Sequence, residues 1–336
     1  MKQARAHRVI VTPDALNGDG TSAHGDLRLE RLSVGGIEYA LLPSVSPEIT
    51  SDELGDADAA LVMAHTRFTS QVIEDAPRLR HIARFGAGYD TIDVDACTRN
   101  GVIVTNTPDA VRRPVALAAM TLILALAHRM LEKDHLVRHA GWDLAGEYTG
   151  SGVTGATIGI VGFGNIGSEL AALLRPLDVR VLGTNSRGHH PRAADLGVSM
   201  VDVETLLRQS DFVVLCAALN PTTERMIGTR ELALMSPSAY LINVGRGRLV
   251  DAEALRHALT EGAIAGAGLD VYDPEPPESD DPVLALKNVI LSPHALSWTR
   301  EFTRLASASV VEALSAVASG ARPRHVINPD VFNAER

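Results

Sequence analysis

Three side chains occur in an order that could do chemistry. Arg246 stands in Asn243-Val244-Gly245-Arg246-Gly247, Glu275 in Asp273-Pro274-Glu275-Pro276, and His294 in Ser292-Pro293-His294. A guanidinium grips a carboxylate through a planar fork. An imidazole oriented by a carboxylate gives and takes a proton near neutral pH. Together the three suit acid–base chemistry on a small anion. Each follows a short apolar run that ends in Gly or Pro, as the carboxyl end of a buried strand does. Open α/β sheets bind ligands at that edge. Taken singly, the Arg reads as a surface ion pair, the Glu as turn chemistry and the Pro-His as a loop. Their succession on three strand ends favours catalysis.

A second motif lies upstream. Thr157–Val161 runs into Gly162-Phe163-Gly164-Asn165-Ile166-Gly167, and Ser168–Leu174 continues with a helical pattern. In such a loop the first glycine makes the tight turn and the second admits a pyrophosphate. The third packs the helix on the strand, and the N–H groups at the helix amino terminus face the phosphates. The spacing alone is weak, but strand, loop, helix and next strand fall in the right order for a dinucleotide site. That next strand ends in Asn185-Ser186-Arg187, where NAD-selective loops carry Asp or Glu. No carboxylate there repels a 2′-phosphate, and Ser186 and Arg187 can bind one, with His189, His190 and Arg192 adding positive character. The expected cofactor is NADP(H), with NAD(H) as the lesser alternative. A solvated polar loop is the bland reading.

The elements that must hold these motifs alternate between Val/Ile-rich runs and helical patterns, the signature of α/β architecture with parallel sheets. Expected strands in the first third are Arg8–Val11, Ile37–Leu41, Ala60–Ala64, His81–Phe85 and Val102–Thr105, with helices near Ser70–Ala76 and Asp93–Arg99. One long helix, apolar on nearly all faces, is expected over Asp109–Lys133, followed by a Gly-rich arm from Gly141 to Gly155. The second series is Thr157–Val161, Val179–Thr184, Phe212–Leu215, Tyr240–Val244, Ala265–Leu269 and Val289–Leu291. A last helix over Thr299–Ser319 begins after that sheet ends and can return to the first body. The reading is two Rossmann-like, doubly wound domains with an active-site cleft between them. A discontinuous substrate domain takes 1–108 and 297–336, and a dinucleotide-binding domain takes 109–296.

A chain of 336 residues suffices for two full cores. Its net charge of −10 argues against nucleic acid and against an anionic membrane surface. Cys97 and Cys216 lie far apart without metal-ligand spacing, so neither a disulfide framework nor a metal is expected, and a reducing cytoplasm fits. Cys216 closes an apolar run and reads mainly as packing. The polar, basic start, Met1–Arg8, lacks the apolar stretch of a signal peptide. The longest apolar run, Pro114–Ala127, is short for a bilayer and reads as a buried helix.

At this point the chain resembles the D-isomer-specific 2-hydroxyacid dehydrogenases, in particular their glyoxylate/hydroxypyruvate reductase branch. The likeness covers nearly the whole chain. It rests on Arg84-Phe85-Gly86-Ala87-Gly88-Tyr89-Asp90, the glycine loop, Leu241–Gly247, Gly268-Leu269-Asp270-Val271 with Glu275-Pro276, and Pro293-His294. The resemblance implies reduction of a small 2-oxo acid by a nicotinamide cofactor in a homodimer built through the cofactor domain. His294 would then be the proton donor and Glu275 its partner. Arg246 and backbone N–H groups of Phe85, Gly86, Ala87 and Gly88 would hold the substrate carboxylate. Cys216, Thr223, Val244, Gly245 and Asp270 would line the cofactor, Asp270 at the nicotinamide carboxamide.

The chain also departs from the family pattern. Arg112 and Arg113 stand where a small residue and an acid are usual, either facing water or binding a second anion. Cys216 and Ala218 replace a polar residue and Pro beside the ribose. Leu296 and Trp298 follow His294 in place of a Gly/Ala-rich turn, either shaping a pocket or packing in the core. His65 falls near a strand end of the first domain, where a lone His is more often structural. A dinucleotide-sensing corepressor and a phosphite-type dehydrogenase are the alternatives; formate is disfavoured because formate enzymes of this fold carry Gln at the Glu275 position.

Overall fold

The computed structural model describes residues 6–12, 25–42, 47–63 and 66–333. His65 lies outside the described residues. The chain divides into two compact units, Met1–Val111 with Trp298–Arg336, and Arg112–Ser297.

The first unit is built on five parallel strands: β1 His7–Val11, β2 Ile37–Leu41, β3 Ala59–Val62, β4 His81–Arg84 and β5 Ile103–Thr105. Their order is β2-β1-β3-β4-β5. Every residue of β3 and β4 is buried, which is why both read as unbroken runs rather than alternating patterns. The helix Arg300–Ala318 returns from the end of the chain to this unit, and Phe302 meets Phe85 edge-on at 5.3 Å between ring centres.

The second unit carries seven parallel strands: β6 Thr157–Val161, β7 Arg180–Thr184, β8 Val198–Met200, β9 Phe212–Leu215, β10 Tyr240–Asn243, β11 Gly266–Leu269 and β12 Val289–Leu291. Their order is β12-β11-β10-β9-β6-β7-β8. The chain winds from β6 toward β7 on one side and restarts at β9 on the other. β6 and β9 therefore flank a topological switch point, where such sheets open a crevice at their carboxyl ends. The three-residue edge strand β8 escapes sequence reading.

The helix Pro108–Ala127 is long and apolar enough to span a membrane by composition, yet 56% of its most apolar window is buried. Ala116, Ala119, Leu122, Ile123, Leu126 and Ala127 join the core of the second unit. Gly268 of β11 lets it approach, since a Cβ there would lie 3.1 Å from Leu122. The single helix expected to reach Lys133 is in fact two. Arg129 adopts left-handed dihedrals (φ 51°, ψ 48°), and a separate helix runs Met130–Arg138. The carbonyl of Ala127 instead receives the Gly152 N–H at 3.3 Å, and Gly150 packs against it. The Gly-rich arm thus closes the end of the long helix, and within it Trp142–Tyr148 forms a 3₁₀ turn.

Candidate active site

The glycine loop leaves β6 directly. Gly162 sits at φ +92°, and a Cβ there would come within 2.3 Å of the Ala217 nitrogen beyond β9, so only glycine fits. Gly167 is buried, with room for a Cβ only 2.9 Å from Ile160, which brings the helix Asn165–Leu174 against its strand. Gly164, just before that helix, differs from both: a Cβ would meet no atom closer than 4.0 Å. Two of the glycines are required by protein packing, whereas Gly164 leaves open space at the start of the helix. Asn165 is exposed and Ile166 half-buried.

After β7, Asn185 shapes the turn. Its amide donates to the Phe163 and His189 carbonyls, both at 3.0 Å, and its oxygen accepts the Arg187 N–H at 3.0 Å. Asn185 thus ties this turn to the glycine loop, while Ser186 and Arg187 are exposed. His190 stands edge-on to Phe163, and Arg192 reaches Ser168 Oγ at 3.3 Å. After β9, Thr223 secures the next turn by donating to the Ala218 carbonyl at 2.7 Å. Cys216 is half-buried, and burial pushes its thiol up to about 12, so it stays protonated.

Arg246, Glu275 and His294 follow β10, β11 and β12, neighbours in the sheet. Asn243 closes β10 and is buried. It donates to the Arg246 carbonyl at 2.9 Å and accepts the Gly245 N–H at 3.1 Å, folding the turn that carries Arg246. A polar residue ending an apolar strand was its only signal in the sequence. The Arg246 guanidinium donates to the Gly245 carbonyl at 2.9 Å. Val244 is buried and Gly245 half-buried in the same turn.

His294 Nδ1 lies 3.0 Å from Glu275 Oε2. A carboxylate only accepts, so the Nδ1 proton faces Glu275, and Nε2 is the ring nitrogen that Glu275 does not hold. His294 itself has a positive φ of 54°, a conformation that costs a non-glycine residue of order 1 kcal/mol and recurs at functional sites. Asp270 holds the chain beyond it, one carboxylate oxygen accepting from Ala295 N at 3.0 Å and Leu296 N at 3.2 Å. Burial raises the Asp270 carboxyl above its usual range, opposed by hydrogen bonds from Ser292, Leu296 and Ala295 and by the charge of His294.

The departures from the family pattern take definite places. Arg113 and Arg112 both reach Glu169 on the helix after the glycine loop, at 2.8 and 3.5 Å. They brace the long helix against that one. Leu296 packs on the core of the second unit, whereas Trp298 is exposed and so is not a core residue. In the first unit, the Phe85 N–H is engaged by the Val62 carbonyl and the Gly86 N–H by Thr107 Oγ, both at 2.9 Å. Ala87 and Gly88 continue that loop, half-buried.

Residues 120–295 match the model of the NAD-binding domain of D-isomer-specific 2-hydroxyacid dehydrogenases. A glyoxylate reductase of Thermococcus kodakarensis is 42% identical over 296 residues, covering 86% of this chain and 88% of its own. The chain belongs to the D-isomer-specific 2-hydroxyacid dehydrogenase family. As a member of that family it is an NAD(P)-dependent oxidoreductase. Solved structures agree on the fold. An NADPH-dependent glyoxylate/hydroxypyruvate reductase from Sinorhizobium meliloti, in complex with NADP and malonate, superposes with a TM-score of 0.83 at 28% identity, covering 97% of this chain and 98% of its own. A glyoxylate reductase from Paecilomyes thermophila gives 0.82 at 28% identity, with 96% and 98% covered.

Proposed function

We propose that this dehydrogenase reduces a small 2-oxo acid of the glyoxylate/hydroxypyruvate class to the D-2-hydroxy acid, with NADPH preferred over NADH. The observation that carries the reading is the 3.0 Å contact of His294 Nδ1 with Glu275, on the sheet edge that also bears the glycine loop. A nicotinamide cofactor held at the Gly162–Gly167 loop would supply hydride for the carbonyl carbon. His294 Nε2 delivers the proton to the carbonyl oxygen as negative charge builds there, and Glu275 stabilises the imidazolium that gives it up. Arg246 binds the substrate carboxylate and polarises the carbonyl through its planar fork. Since the Phe85 and Gly86 N–H groups are engaged within the protein, the backbone role toward the carboxylate narrows to Ala87 and Gly88.

Ser186 and Arg187 are assigned to the 2′-phosphate, with Asn185 setting the turn that presents them. Gly162, Gly164 and Gly167 with Asn165 and Ile166 are assigned to the pyrophosphate. Cys216, Thr223, Val244, Gly245 and Asp270 complete the cofactor wall. The Sinorhizobium meliloti reductase is NADPH-dependent and an acyclic imino acid reductase of the same fold was solved with NADPH, and these with the absence of an acid directly after β7 support the preference. Exposed Met130, Leu131, Val137, Trp142 and Leu144 gather on the helix Met130–Arg138 and the turn after it, and support a homodimer formed through that surface. The proposed compartment is the cytoplasm, in keeping with two unbridged cysteines.

Absorbance at 340 nm with NADPH and glyoxylate, hydroxypyruvate, pyruvate and bulkier 2-oxo acids tests the reading. Turnover is expected on the small acids and none on bulky ones. His294→Ala should lower kcat by about 10²- to 10⁴-fold while NADPH still binds. No turnover on any of these acids would overturn the proposal.

A further inference from the structure

One residue joins the three turns that carry Arg246, Glu275 and His294, two of them through its backbone and the third through its phenol. Tyr272 stands three residues beyond the end of β11. Its backbone N–H donates to Glu275 Oε1 at 2.9 Å, the carboxylate oxygen that does not face His294. Its phenol oxygen accepts the Ser292 N–H at 3.0 Å and donates toward the carbonyls of Ser292, at 2.9 Å, and Leu269, at 3.1 Å. Ser292 is two residues before His294, and its carbonyl also accepts the His294 N–H at 3.0 Å. On the remaining side the Tyr272 carbonyl lies against Gly247, where a Cβ would stand only 1.8 Å away, so the Arg246 turn seats directly on Tyr272.

We propose that Tyr272 is a positioning residue for the reaction: its hydroxyl pins Ser292, and through it His294, at the separation from Glu275 that proton transfer requires. This rests on the reading of His294 as proton donor. The hydroxyl holds rather than exchanges a proton, because burial, with Asp270 and Glu275 nearby, pushes it up to about 12 against the Ser292 hydrogen bond. The Ser292 N–H also donates to the Leu269 carbonyl at 2.9 Å, so removing the hydroxyl takes away the second acceptor of that N–H and the donor to the Ser292 carbonyl, and loosens the Pro293-His294 turn against Glu275. Geometry of this kind governs the reacting step more than cofactor binding.

The test is Tyr272→Phe in the full-length enzyme, alone and combined with His294→Ala. The single variant should lose about 10-fold in kcat, as sub-ångström misplacement of a reacting group does. Its KM for NADPH and its NADPH fluorescence titration should stay within about twofold of wild type, and the solvent deuterium isotope effect on kcat should rise as proton transfer becomes limiting. Added to His294→Ala, Tyr272→Phe should cause no further loss of residual rate. An unchanged kcat, a parallel loss of NADPH binding, or an equal further loss in the His294→Ala background would each overturn the positioning role. Full turnover by His294→Ala alone would instead remove the proton-donor reading beneath it.

Discussion

Arg187 is an exposed guanidinium whose place is set by its own backbone, since its N–H is fixed to Asn185 at 3.0 Å. A side chain held only by its turn costs the fold little to remove. Arg187→Ala should therefore leave the melting temperature nearly unchanged yet raise KM for NADPH roughly 10-fold, the worth of a charged hydrogen bond. KM for NADH should move less than about twofold, as the 2′-hydroxyl offers the guanidinium no charge to pair with. Equal effects on both cofactors, measured in parallel steady-state assays, would take Arg187 out of the 2′-phosphate site. Cys216 shows the limit of residue-by-residue reading. It sits where a polar contact to the ribose is usual, but the half-buried residue packs on the core of the second unit and burial holds its thiol protonated.

The strand–loop–helix element around the glycine loop separates folding from binding within six residues. Gly164→Ala adds a methyl into open space and should fold with a melting temperature within a few degrees of wild type. Its NADPH affinity, measured by fluorescence titration, should fall at least about 10-fold, because the methyl occupies the approach to the helix start. Gly162→Ala behaves oppositely. It meets the Ala217 backbone at a positive φ, so stability should drop by about 2 kcal/mol or more in urea denaturation. If Gly164→Ala bound NADPH normally, the pyrophosphate would not lie at this helix. Elements of this kind were legible because their signals are local. The apolar runs give β6, β9 and β12 their observed bounds, and Gly or Pro closes the runs of β6 and β12 but not that of β9. What escaped depends on contacts distant in sequence. The break at Arg129 has no Gly or Pro to announce it and is completed by Gly150 and Gly152. β8 is too short to show a period. Asn243 and Tyr272 take their meaning from the turns they join, and Glu169 as the partner of Arg112 and Arg113 lies more than fifty residues away.

At the scale of the whole molecule, the surface and the two units answer to different conditions. Val137 and Trp142 are 63% and 74% exposed, far more than apolar side chains need be. Replacing both by Asp should convert a dimer to a monomer in light scattering, and a wild type already monomeric at micromolar concentration would remove the proposed interface. One acid-sensitive group lies in the first unit. His81 begins β4, is fully buried, bonds Thr105 through Nε2 at 2.8 Å, and leaves Nδ1 without a partner. Burial, with a smaller contribution from His7, lowers it from 6.5 to about 3. The folded state keeps His81 neutral while the unfolded chain takes up a proton below pH 6.5, so its full contribution is present above that pH and drains away as the pH falls toward 3. At 1.36 kcal/mol per unit, that amounts to about 2 kcal/mol lost between pH 6.5 and 5. His7 is also lowered chiefly by burial, which adds in the same direction. Urea denaturation followed at pH 7 and pH 5 should show this loss in the wild type and a markedly flatter dependence in His81→Gln, whatever that variant costs at neutral pH. Equal slopes in the two proteins would mean that the acid sensitivity of the fold lies elsewhere than in the imidazole at the start of β4.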